Sequence, residues 1–102
     1  MFKNFDYYYK DTLCTSIRFD PVTGEPTVTN YVPETFNQFL GKLECTPDNL
    51  LMMFEDHCWN RNRPDINELL AGLGLKEYDP YAICLKTNGR VATEHYHIVW
   101  LD

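Results

Sequence analysis

The chain has 102 residues and a formal net charge of -6, with nine basic against fifteen acidic side chains, and is 44% hydrophobic and 15% aromatic. That length carries one modest core, so a single domain over 1–102 is expected, and so apolar a composition excludes a disordered chain. The acid excess works against non-specific attachment to nucleic-acid phosphates or an anionic membrane, which leaves a protein, basic if charge decides, as the expected partner.

In chain order, Tyr7-Tyr8-Tyr9 reads as a first strand and Lys10-Asp11 as a tight turn. Thr12 to Phe19 alternates, with Leu13, Thr15, Ile17 and Phe19 on one face and Thr12, Cys14, Ser16 and Arg18 on the other, as a half-buried strand does. Asp20 to Gly24 is a turn, and Thr27 to Tyr31 returns antiparallel, with Pro26 at its start where a missing amide donor is tolerated. Pro33-Glu34 opens a short helix whose Phe36, Phe39, Leu40 and Leu43 fit one stripe, limited by Gly41. Thr46-Pro47-Asp48 is the clearest helix start: an N-cap hydroxyl, a first-turn proline and an acid against the positive helix end. Leu50, Leu51, Phe54 and Cys58 form its buried stripe, and Met52 and Met53 are expected to widen it.

Trp59 to Arg63 leaves that helix. Pro64 and Asp65 supply the first turn of the next, with Ile66, Leu69, Leu70 and Leu73 on one stripe, Gly74 as left-handed cap and Leu75 packing back. Asp79-Pro80 starts a third helix that ends at Asn88-Gly89, and so short a link predicts a helical hairpin over 65–88. Thr93 to Leu101 reads as a strand apolar on both faces, hence central or covered on both sides. The fold class is therefore α+β: an N-terminal antiparallel hairpin or meander, three to four short helices, and a C-terminal strand joining the sheet.

The seven Tyr, six Phe and two Trp will largely fill the core, with some left at the surface for a partner. Cys14, Cys45, Cys58 and Cys84 include no Cys-x-x-Cys pair. With no apolar run behind a basic lead in Met1 to Lys10, and no stretch of about eighteen apolar residues, the expectation is a cytoplasmic chain with no membrane span and reduced, mostly buried thiols.

Chemistry-bearing sets are sparse. His95 and His97 share a strand face, and His57 with Cys58 would complete a zinc shell on paper, but adjacent helical residues point apart, so no metal is expected. Cys58 or Cys84 with His95 or His97 could be written as nucleophile and base, yet nothing in the sequence activates them, and neither catalysis nor a cofactor is expected. Arg61 and Arg63 beside Trp59, with Tyr78, Lys86 and Arg90, form the expected partner-binding surface, because Arg and exposed aromatics dominate interface energetics. The same cations on a helical hairpin give the alternative, a small nucleic-acid-binding transcriptional regulator using 65–88. The acids, scattered in no long run, read as ordinary surface solvation.

Leu70 to Tyr78 resembles the Leu-x-x-Leu-Gly-Leu-x-x-Tyr segment of SAM domains, although a strand pattern follows where that family has a long helix. Over most of its length the chain resembles small, uncharacterised proteins encoded on integrative elements and phages of Firmicutes. The residues that carry this are Asp6-Tyr-Tyr-Tyr-Lys-Asp11, Phe54-Glu-Asp, Cys58, Arg61, Arg63, Leu-Gly-Leu-x-x-Tyr-Asp-Pro across Leu73 to Pro80, and Lys-Thr-x-Gly-Arg across Lys86 to Arg90. His57, Asn60 and His97 depart from that family's more usual Arg, Pro and Trp. The resemblance implies a mobile-element setting, where small inhibitors of host defence are common. The expected function is a non-enzymatic interaction module, an accessory or counter-defence protein that binds and inhibits a host protein, with a homodimer left open.

Overall fold

The computed structural model describes residues 2–91 and 95–101. Four strands, β1 (Phe5–Tyr9), β2 (Thr12–Phe19), β3 (Pro26–Asn30) and β4 (Tyr96–Trp100), form one antiparallel sheet in the order β3-β2-β1-β4. Three helices, α1 (Pro47–Asp56), α2 (Ile66–Gly72) and α3 (Pro80–Thr87), accompany it, so the fold is α+β. The start of the expected last strand, at Thr93, lies outside the described residues.

Local chemistry explains most boundaries. Lys10 takes a left-handed φ of 52° between β1 and β2, and the Asp20 carboxylate accepts from the amides of Val22 and Thr23 to fold the next turn. Thr46 Oγ1 accepts from Asn49 N at 3.1 Å and starts α1. Asp79 Oδ1 accepts from Tyr81 N at 3.1 Å and starts α3, which ends at left-handed Asn88. At the end of α2, Leu75 N donates to Leu70 O and Gly74 N to Ala71 O, the paired bonds of a Schellman cap, with Gly74 at φ 76°. Asp65 caps the start of α2 by position alone, since its carboxylate pairs with Arg63.

The core lies between one sheet face and the helices. Phe5, Tyr7, Ile17 and Ile98 from the sheet meet Phe39, Leu50, Phe54, Leu70, Ile83 and Cys84. Phe54 is the hub, its ring centre 5.5 Å from Phe5, 5.4 Å from Phe39, 5.5 Å from Tyr81 and 5.8 Å from Trp100, inside the range where tilted aromatic pairs attract.

Several expectations give way to tertiary demands. The pairing of β1 with β2 slips between Tyr7 and Tyr8, where β2 carries the extra residue Cys14, a bulge. Leu13 therefore sits opposite Tyr8 and Thr15 opposite Tyr7, and the two no longer share a face. No full helix forms after Pro33. Only a 3-10 turn, Thr35–Asn37, appears, because Phe39 N donates to Thr15 Oγ1 at 3.0 Å and Tyr96 hydroxyl to Asn37 Oδ1 at 2.8 Å, which pulls the chain off a helical path. Phe39 and Leu40 are buried while Phe36 is 76% exposed, so no stripe exists.

Strand β4 is an edge strand and not a central one: β1 flanks it on one side, and on the other Ile98 N donates to Asn88 O at 2.8 Å. Val99 on its outer face is exposed. Nor does the short link make α2 and α3 a close pair; the close helix pair is α1 with α3. Met53 packs against the core, whereas Met52 points to solvent.

Candidate functional site

The end of α1, the 58–63 loop and the segment before α3 converge on one corner. Glu55, on the last turn of α1, accepts from Arg61 through both oxygens, at 2.7 Å to Nη2 and 3.3 Å to Nε. A two-pronged pair of this kind fixes the guanidinium plane. That plane lies over the Tyr78 ring with its carbon 4.7 Å from the ring centre. The Tyr78 hydroxyl donates to Trp59 O at 2.7 Å, closing the loop back onto itself. Burial, ahead of nearby acidic groups, pushes Tyr78 ionisation up to about 12, so its hydroxyl stays a donor at neutral pH. Arg61 is held protonated even more firmly than usual by its bond to Glu55.

The structure thus brings together Trp59, Arg61 and Tyr78 of the expected surface. Arg63 is nearby in the chain but engaged at 2.6 Å with Asp65. Lys86 and Arg90 lie apart, exposed at the end of α3, and Arg90 is close enough to His97 to help burial lower that imidazole's pKa. Neither is joined by a hydrogen bond or ion pair to the Arg61 corner.

Beside Arg61 an open groove of about 630 Å³ runs between α1 and the segment 77–80. Its lining combines apolar Leu51, Met52, Tyr78 and Pro80 with the carboxylates of Asp48, Glu55, Asp56, Glu77 and Asp79 and one cation, Arg61. Of the groove residues only Arg61 and Tyr78 stand out in the sequence as contact residues; Leu51 and Met52 read as part of the buried α1 stripe and the carboxylates as surface solvation. A signal was present. Asp48, Met52 and Glu55 recur at the four- and three-residue spacing of a second α1 face.

Both ring nitrogens of His57 are taken up by hydrogen bonds within the fold. The residue is buried, with Nδ1 2.8 Å from Met53 O and Nε2 2.8 Å from the Tyr7 hydroxyl. A carbonyl only accepts, so Nδ1 carries the proton and Nε2 accepts from Tyr7. Burial lowers the His57 pKa and raises that of Tyr7, which keeps this pair neutral. Cys58 faces Cys84, not a histidine. Among the described residues no three His, Cys, Asp or Glu side chains are grouped to hold a metal ion. No described helix is long and apolar enough to cross a membrane.

Comparison of the chain with protein-family models, with curated proteins and with solved structures gives no match.

Proposed function

We propose that this protein is a non-enzymatic interaction module of the accessory or counter-defence type, which binds a host protein through the corner of Trp59, Arg61 and Tyr78 and blocks it. The observation that carries this reading is the groove beside that corner, where Met52, 47% exposed, shares the lining with Leu51, Tyr78, Pro80 and five carboxylates. Exposed Met on an amphipathic helix is a contact residue adaptable to a partner's shape, and the carboxylates favour a partner segment that presents Lys or Arg. The Glu55–Arg61–Tyr78 stack is already ordered, so docking there immobilises few side chains. The same acids repel phosphates, which sets nucleic acid below protein as partner.

The test starts with affinity capture from host lysate, treated and untreated with nuclease, followed by binding measurements on the captured protein. Met52→Ala and Glu77→Lys change exposed groove residues and should leave the fold intact, yet each should weaken binding at least about tenfold, or about 1.4 kcal/mol. Unchanged affinity in both, and in the combined Trp59→Ala, Arg61→Ala, Arg63→Ala variant, would remove the surface assignment. Capture of nucleic acid alone would favour the regulator.

A further inference from the structure

The side chains of Cys58 and Cys84 meet beneath the Trp59 corner with their sulfurs 3.7 Å apart. Both thiols are free, as are Cys14 and Cys45, and no other pair among the four is in sulfur contact. The contact joins Cys58, two residues past the end of α1, to the middle of α3, and α1 and α3 are the helices that pack most closely. Phe54 O lies 3.1 Å from the Cys58 sulfur and 3.4 Å from the Cys84 sulfur, and Pro80 O 3.4 Å from Cys58, so the two thiols sit side by side among shared backbone acceptors. Disulfide formation shortens such a separation to about 2.05 Å, a closure that side-chain rotation and a small helix shift can supply.

From this geometry we infer that Cys58 and Cys84 are a built-in dithiol modification site, converted by hydroperoxides to an intramolecular disulfide that staples α1 to α3. Cys58 is 8% exposed and Cys84 fully buried, so Cys58 is the more accessible of the two to an oxidant. The Cys58 thiolate attacks one oxygen of hydrogen peroxide; the S–O bond forms, the O–O bond breaks, and hydroxide leaves to take up the proton Cys58 lost. The Cys84 sulfur then displaces the oxygen of the Cys58 sulfenic acid: the S–S bond forms, the S–O bond breaks, and the departing hydroxide leaves as water with the Cys84 proton. In total two thiols and one peroxide become one disulfide and two waters. The hydrogen bond with the Cys58 sulfur, ahead of burial, holds Cys84 ionisation above the ordinary thiol range, which makes Cys84 the poorer first nucleophile of the two. Trp59, whose carbonyl anchors Tyr78, is the next residue after Cys58, so the staple would fix the corner as well as the helices.

The experiment treats the folded, reduced full chain with hydrogen peroxide, quenches with an alkylating agent in denaturant and counts free thiols before non-reducing peptide mapping. The expected result is a fall from four free thiols to two, one linked peptide pair joining Cys58 and Cys84, and alkylated Cys14 and Cys45. Cys84→Ser should stop at a sulfenic acid on Cys58 that dimedone traps. The wild-type mapping stands even if that variant folds poorly. A linkage between any other sulfurs, dimers bridged by disulfide, or four thiols surviving peroxide that oxidises a small-molecule dithiol would each overturn the proposal.

Discussion

Tyr7 and His57 make a buried polar contact on which several aromatic rings close. Tyr7 stacks on Tyr96 with ring centres 5.5 Å apart, and Phe39 lies against His57 at 5.7 Å. Tyr7→Phe removes the hydroxyl that donates to Nε2, the only donor to it among the described residues, which should cost about 1–3 kcal/mol in urea denaturation. The same pair sets a pH dependence. Because the folded pKa of His57 lies below its ordinary 6.5, the unfolded chain binds the proton first, and stability that is full above that pH is lost as pH falls through it. Thermal melts between about pH 8 and about pH 5 should show this decline, with a flatter profile in His57→Phe, whose remaining slope comes in part from His97, also lowered by burial. An equal slope with and without His57 would show that its protonation is not coupled to folding.

At the scale of elements, two left-handed glycines separate backbone strain from packing. A Cβ at Gly74, φ 76°, meets nothing within 4 Å, so Gly74→Ala should cost only the strain of a left-handed alanine, about 1–2 kcal/mol. At Gly89, φ 67°, the Cβ would stand 3.1 Å from Ile98 Cδ1 and 3.6 Å from His57 Cβ, and Gly89→Ala should lose roughly 2–4 kcal/mol. If chemical denaturation ranks the two equally, the approach of the α3 cap to β4 is looser than described. Both glycines were legible as helix stops from sequence, as were the helix starts at Thr46 and Asp79 and the span of β2, because caps and β-forming runs are written in neighbouring residues. What was not legible depends on distant ones. The Cys14 bulge is visible only against Tyr7 and Tyr8 across the ladder, and the 33–43 stripe dissolved because Thr15, far back in β2, offers Phe39 an acceptor that no local pattern announces. The candidate corner shows the same division. Arg61 and Tyr78 could be chosen by residue type, but only the fold reveals Glu55 as the group that orients Arg61, or sets Arg90 beside His97.

For the molecule as a whole, the aromatics divide between core and surface. Phe54→Ala removes a ring from the centre of the core and should cost about 3–5 kcal/mol, a large share of the about 5–15 kcal/mol that stabilises a domain. Phe36→Ala, at a site 76% exposed, should stay within about 0.5 kcal/mol. Comparable losses from both in urea denaturation would place Phe36 in a folded-state contact that this structure does not contain. Charge follows its own arrangement: five of the fifteen acids line the groove beside α1 with one arginine, and the overall charge of -6 is therefore unevenly presented to an approaching partner.

Strand order has a consequence for how the chain is made. Phe5 pairs with Trp100, 95 positions later, so β1 enters the cell with one neighbour, β2, and waits for the other. At synthesis rates of about 5–20 residues per second, that wait lasts roughly 5–20 s. Throughout it the strand Phe5-Asp6-Tyr7-Tyr8-Tyr9 presents an unpaired edge beside an unfinished aromatic face, the kind of segment on which neighbouring chains add strands. Yield in the cell should therefore depend on translation speed and chaperone capacity more than the stability of the finished fold would suggest.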